Sequence, residues 1–443
     1  MVMVQLTFDR LATTLQSACQ SGEHFTLRLA SEQSQFTRFN RARVRQTGWV
    51  NDGSLTLYLM REGRTGFREF PFTGNWEIDW PQVDEAMAQL RQELPQLPVD
   101  PYQVLPLGKT NSQAVHQGKL LAPDAVVPTL LPWVADLDFT GIYAAGTLMR
   151  GYADSAGQKH WFSTDSYSLD YSLFTPEGQA VKGTLAGGDW DGAACEARLQ
   201  DSRVQLALLS RSVRSVARGQ YRTYLAPAAV ADLVGMLSWG GVSEAALQQG
   251  SSCLGILRRG EKQLSPLFYL DENFESGLVP RFNEFGEVAP LELSLIEAGQ
   301  LKQTLISSRT AREYGLTPNG AAGGEWLRSP QIRPGHLAPD QILPTLGTGL
   351  YVSNLHYLNW SDRPTGRITG MTRYACFWVE EGEMVGPIEN LRFDDSLYRF
   401  WGENLLALTD YQEFIPNIGT YGSREAGGVQ VPGMIVEGLT YTL

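Results

Sequence analysis

The stretch ACFWVEEGEMVGPI, Ala375 to Ile388, sets one apolar run against another across a short acidic turn that contains Gly382. That is the grammar of a β-hairpin: glycine supplies the turn and the flanking runs pair. Leu291–Ile306, LELSLIEAGQLKQTLI, repeats the pattern around Gly299. Working back from these hairpins, Tyr224–Trp239, YLAPAAVADLVGMLSW, reads as a helix. Pro227 suits its first turn, and Val230, Leu233, Val234 and Leu237 form one apolar stripe.

The first half mixes both periods. Leu11, Leu15 and Ala18 mark an opening helix, and Val83, Met87, Leu90 and Leu94 mark a second that ends at Pro95. Strand-like runs lie between them at HFTLRLA, QFTRFNRARVRQ and GSLTLYLM, and the stretch from Gly141 to Thr175 reads as a β-meander. The reading is an α+β protein. An N-terminal mixed α+β domain over residues 1–220 precedes a β-rich, sheet- or barrel-like C-terminal domain over residues 221–443.

A chain of 443 residues with 43% apolar and 19% charged residues has the composition of an ordinary globular protein. Its formal charge of −12 argues against nucleic acid, whose phosphates need a basic surface. The local cations of Arg38–Gln46, RFNRARVRQ, read as one solvated strand face. No run approaches the ~18 apolar residues of a membrane span. The N-terminus lacks the features of a secretory signal, and the four cysteines show no paired spacing. The expectation is a cytoplasmic protein with reduced thiols and no membrane association.

Motifs that carry chemistry are scarce. Zinc hydrolysis asks for imidazoles at helical spacing and a carboxylate base, yet none of the five histidines is followed by Glu and no HExxH or HExxxH exists. Gly108–Thr110, GKT, lacks the first glycine of a phosphate loop. Gly250–Gly255, GSSCLG, has no neighbouring base and reads as a turn into a buried strand. Acid pairs such as Asp136 with Asp138, Glu380 with Glu381, and Asp394 with Asp395 read as solvated. A spatially assembled site could draw on His356, Asp362 and Cys376, though an isolated histidine among aromatic residues is more often structural. No catalytic residue and no metal ligand is assigned from chemistry alone.

The order of segments resembles the TldD/PmbA family, whose PmbA-like members are also called TldE. Phe36–Gly66, Asp136–Gly146 with the ADSAG that follows, Leu278–Gly315, Gly347–Phe393 and Pro432–Tyr441 carry the resemblance. It implies a two-domain subunit of a zinc peptidase complex that acts on unfolded or small modified peptides. Catalytic TldD-type subunits look like zinc peptidases with HExxxH on a helix of the C-terminal half and a cysteine ligand near the C-terminus. The equivalent region here, Leu233–Leu247, contains no histidine and only the lone carboxylate Glu244. Asn417–Gly433 contains no cysteine. The resemblance therefore implies a non-catalytic TldE-like chain without its own cofactor, with zinc expected in a TldD-like partner. The alternative is a stand-alone homodimeric peptide-binding scaffold. Thr365–Ala375, TGRITGMTRYA, departs from the TGDYSRGA-type segment of PmbA-like chains and looks like another branch.

Overall fold

The computed structural model describes residues 2–106, 108, 110–419 and 422–442. Lys109, in the stretch rejected above as a phosphate loop, lies outside the described residues.

The N-terminal half is built on unusually long strands. His24–Asn40, Arg43–Arg61, Asp138–Asp154 and Lys159–Phe174 run 17, 19, 17 and 16 residues, where about 5–6 is typical. No Gly or Pro interrupts residues 24–40, and both edges of that strand are paired, so the two runs read from sequence are one element. Among the described residues this sheet has seven strands. The spatial order is Arg64–Pro71, Arg43–Arg61, His24–Asn40, Asp138–Asp154, Lys159–Phe174 and Ser112–His116, and Ala180–Gly187 also pairs with Lys159–Phe174.

The faces of the sheet differ as the alternation requires. Phe25, Leu27, Leu29, Leu55, Leu57 and Leu59 point toward helices Val2–Ala18 and Trp76–Glu93, where they meet Phe8, Leu11, Leu15, Val83, Met87 and Leu90. Each fully buried side chain of this kind contributes about 1.5–3 kcal/mol before entropy is charged against it. Farther along the same face, Tyr143, Leu169 and Tyr171 pack with residues of helices Val126–Val134 and Gly192–Leu209. The other face carries Thr26, Arg28, Ala30, Glu32 and Ser34.

The cationic run Arg38–Gln46 is not one strand face. Arg41 and Ala42 both have φ of +51° and form the tip of a two-residue hairpin between the first two strands. Neither residue announces such a turn, because Asn-Gly or Asp-Gly is its usual signature.

The C-terminal half holds two further open sheets among the described residues. The nine-stranded sheet runs Asn354–Asp362, Arg367–Arg373, Arg392–Ser396, Met434–Tyr441, Gly219–Leu225, Gly349–Val352, Phe377–Glu380 and Glu383–Pro387, with Leu405–Leu408 joined to Met434–Tyr441. The six-stranded sheet runs Gln300–Leu301, Glu292–Glu297, Leu270–Asn273, Pro330–Ile332, Gly428–Val431 and Glu413–Pro416. Both expected hairpins are present. Their turns, Ala298–Gly299 and Glu381–Gly382, have φ of +46°, +76°, +50° and +82°, as a two-residue turn matching strand twist requires. The architecture is α+β with open sheets rather than a closed barrel.

Helix Pro227–Leu237 begins at the expected proline and buries Val230, Leu233, Val234 and Leu237 against strand Asn354–Asp362 and the six-stranded sheet. Gly250–Gly255 leads into a short helix, Gly255–Arg258, not a strand, and Cys253 is fully buried beside it. No helix is long and apolar enough to cross a membrane, a statement limited to the described residues.

Candidate functional site

The three residues of the alternative assembled site do not meet. His356 and Asp362 lie on the edge strand Asn354–Asp362 opposite Met371 and Arg367, partners four residues and so about 13 Å apart along the neighbouring strand. His356 stacks on Tyr357, ring centroids 4.1 Å apart, and its imidazole titrates below the ordinary range through burial and the charge of Arg373. Asp362 is exposed opposite Arg367. Cys376 is buried, its Sγ donates to the Arg373 carbonyl at 3.3 Å, and burial pushes the thiol pKa up. Among the described residues no group of three His, Cys, Asp or Glu side chains gathers as a metal site would require.

At least one member of each acid pair is held by a partner. Asp136 lies in the turn before its strand and receives Arg203 at 2.7 and 2.9 Å; Glu380 faces Arg214, and Asp394 accepts from Arg367. Asp395 is buried and accepts the Thr440 amide at 3.0 Å.

In the segment equivalent to the family's catalytic helix, the long helix stops at Leu237. The chain turns through Gly240 at φ +82°, and Ser243 caps the short helix Glu244–Gln248. Glu244 is 3% exposed, and both of its oxygens are occupied. Oε1 accepts from Gln248 at 2.7 Å and Arg258 at 2.9 Å, and Oε2 accepts from Thr304 at 2.6 Å. Burial opposes ionisation, but these donors outweigh it and hold the carboxyl below its usual range. Such a carboxylate fastens the short helix to the loop at Thr304, with three of its roughly four lone-pair sites engaged by protein donors.

Asp232 behaves differently. It is on the solvent-facing side of helix Pro227–Leu237, with the strand Asn354–Asp362 packed beside it. Desolvation pushes its carboxyl up to about 7 against one hydrogen bond from the Leu355 amide at 3.2 Å.

The largest feature is a trough along the polar face of the first strand, roofed by loops of the C-terminal half. Four concavities follow one another: about 320 Å³ at Thr26 and Arg28, 520 Å³ at Arg28 and Ala30, 270 Å³ at Ala30 and Glu32, and 810 Å³ from Glu32 to Asn40. Fourteen strand steps make it about 45 Å long. Opposite the strand stand Val279, Glu284, Trp326 and Arg328.

Gly422–Arg424 crosses the trough and borders three of its four compartments, those of 810, 520 and 270 Å³. Arg424 fixes this crossing: its amide donates to Glu32 at 3.1 Å, and its guanidinium reaches Ser34 Oγ at 3.1 Å and the Ser166 carbonyl and hydroxyl at 3.0 and 2.9 Å. Sequence reading missed Arg28, Arg150, Asp232 and Arg424. Their only signal was polar residues alternating with apolar ones, which any half-buried strand or helix shows.

Residues 218–443 match the family model described as the PmbA/TldA metallopeptidase C-terminal domain. Over 146 residues the chain is 32% identical to the metalloprotease PmbA of Escherichia coli O157:H7, covering 32% of this chain and 29% of the relative. It is also 32% identical over 130 residues to the metalloprotease PmbA homolog of Haemophilus influenzae, covering 28% of this chain and 27% of the relative. The chain thus aligns with less than a third of the length of either. TldE from Thermococcus kodakarensis superposes with a TM-score of 0.77 at 14% identity, over 99% of this chain and 100% of that one, so the two share a fold.

Proposed function

This chain belongs to the PmbA/TldA metallopeptidase family, and from that premise we propose that it is a PmbA/TldE-like subunit that does not itself cut peptides. It pairs with a TldD-like chain that carries the zinc, and the complex takes unfolded or small modified peptides. The observation that carries this reading is the chemistry of Leu233–Leu247. The segment has no histidine or cysteine, and its lone buried carboxylate Glu244 is held by Thr304, Arg258 and Gln248. These residues do not fit a zinc site, so no catalytic step is assigned to them.

The role left to the chain is to receive and align substrate. The trough accommodates an extended segment, and the free side of edge strand Asn354–Asp362 offers main-chain groups to a peptide. Both features favour unfolded substrates, because backbone pairing needs an extended chain and places little demand on its side chains.

The test is elemental analysis together with peptidase assays on an unstructured peptide, using the chain alone and mixed with a TldD-like protein. Zinc well below one equivalent, no cleavage alone, and cleavage on mixing are the expected results. One tightly held zinc per chain, or cleavage by the chain alone, would overturn the reading. A self-paired chain that binds peptide and ignores every TldD-like protein would favour the stand-alone scaffold instead.

A further inference from the structure

We propose that Arg28 and Arg150 form a carboxylate subsite in the trough, one that holds an acidic side chain or the C-terminus of a bound peptide. The inference rests on the peptide-binding reading above and names the chemistry that reading leaves open.

In the antiparallel pair between His24–Asn40 and Asp138–Asp154, Ala30 faces Arg150 and Arg28 faces Tyr152. The two arginines are therefore diagonal neighbours on one face, and both line the 520 Å³ compartment. Like charges so placed are destabilising unless something compensates them. Among the described residues neither makes an ion pair with a carboxylate within 4.0 Å. Arg28 donates to the Tyr58 hydroxyl at 2.5 Å and stacks over its ring, while its Nε is buried without a partner. Arg150 spends one nitrogen on the carbonyls of Met149 and Ser31 at 2.8 and 3.4 Å.

The other cations of the compartment are committed elsewhere. Arg328 is spent on backbone carbonyls, including Gly320 at 2.9 Å, and Arg424 on Ser34 and Ser166. Among the acids nearby, the charge of Glu32 reaches Arg150 from a distance, and Asp52 and Glu69 line the adjoining 270 Å³ compartment without an ion pair to it within 4.0 Å. Glu32 receives Ser34 and the Arg424 amide, and Glu284 receives the Gly323 amide at 2.7 Å.

Tyr58 and two backbone carbonyls use only part of this pair of guanidiniums, and the donors left over face the compartment without a carboxylate in contact. Sites that break local rules without internal compensation are where ligands act. A carboxylate fits, since planar forked donors match its two oxygens.

The test uses the full chain and three fluorescein-labelled decapeptides of Ser, Ala and Val, read by anisotropy. One has a central glutamate and an amidated C-terminus, the second a central glutamine and a free C-terminus, and the third is neutral at both places. At least one acidic peptide is expected to bind about tenfold more tightly than the neutral one, equivalent to about 1.4 kcal/mol. Which one does so identifies the source of the carboxylate.

Arg28→Gln and Arg150→Gln should each erase that advantage, so that within each variant the acidic and neutral peptides bind alike. Arg28→Lys and Arg150→Lys, which keep the charge, should retain part of it and guard against misfolding. If all three peptides bind alike, or the advantage survives both glutamine variants, the subsite is wrong and the peptide-binding trough stands. If none binds, with or without a TldD-like partner, the peptide reading fails and takes the subsite with it.

Discussion

Glu244 and Asp232 lie twelve positions apart and answer opposite physical demands. Three donors surround Glu244, so Glu244→Ala strands Thr304 and the guanidinium of Arg258. The expected cost is about 2 kcal/mol, moderated by the partial exposure of Arg258. Peptide binding and any partner-dependent cleavage should be unaffected, as denaturant unfolding and the mixing assay would reveal. Loss of cleavage in a folded Glu244→Ala chain would instead make the carboxylate catalytic.

Asp232 has a folded pKa of about 7 against 3.8 for the free side chain. Between those values the folded state holds a proton that the unfolded chain has released, so stability falls as pH rises from about 4 to 7. Asp232→Asn keeps an acceptor for the Leu355 amide and removes the titration. The melting temperatures of wild type and variant should therefore diverge across that window, with the variant gaining. Because the side chain also touches solvent, the gain should stay below about 1 kcal/mol. Parallel curves would mean that Asp232 is solvated like any surface acid.

At the scale of elements, the long strands depend on close backbone approach at particular glycines. Gly146, at φ +152°, lies in the middle of Asp138–Asp154, where an added Cβ would sit 2.1 Å from the Gln33 carbonyl and 2.6 Å from the Ser34 Cα. Both obstacles are backbone, so Gly146→Ala must part the first strand from its neighbour. A loss above about 4 kcal/mol is expected. Gly178, at φ +89° with nothing within 4 Å, is the control, and alanine there should cost only about 1–2 kcal/mol of left-handed strain. Equal melting shifts for the two variants would refute the steric account.

Such contrasts mark what could be read from the sequence. The helices at Leu11 and Leu15, Val83 to Leu94 and Val230 to Leu237, and both C-terminal hairpins, were legible because their periodicity and turn chemistry are local. The hairpin tip at Arg41–Ala42 was not, because its left-handed residues are not those that usually signal such a turn. Nor was the trough. Thr26, Arg28, Ala30 and Glu32 alternate with buried residues as a solvated face would, and only the later half of the chain roofs them.

That roof is a property of the whole molecule, and Arg424 is one of the residues that fasten its two halves, with the ion pairs Arg198–Glu413 and Arg309–Asp100 among the others. The residue is 9% exposed and reaches from the C-terminal half into the N-terminal sheet. Its guanidinium satisfies Ser34, the Gly146 carbonyl and Ser166. Glu32, 4% exposed, receives the Arg424 amide and lies within the field of its charge. Arg424→Ala keeps the amide bond but removes the charge and the side-chain donors, leaving Glu32 with Ser34 and the more distant Arg150.

The guanidinium does not contact Glu32, so the expected cost, from its lost hydrogen bonds and its longer-range charge, is about 1–3 kcal/mol. The unfolding midpoint reported by the N-terminal tryptophans should fall accordingly, while a probe confined to the nine-stranded sheet should move less. If the stranded charge is the cause, Glu32→Gln should relieve it. The double variant would then be more stable than the sum of the two single effects by at least about 1 kcal/mol. Strict additivity would mean that Glu32 is content with Ser34, and that Arg424 holds the crossing through its own hydrogen bonds alone. The trough would then be closed by a replaceable strap and not by a charge interaction that couples the two halves.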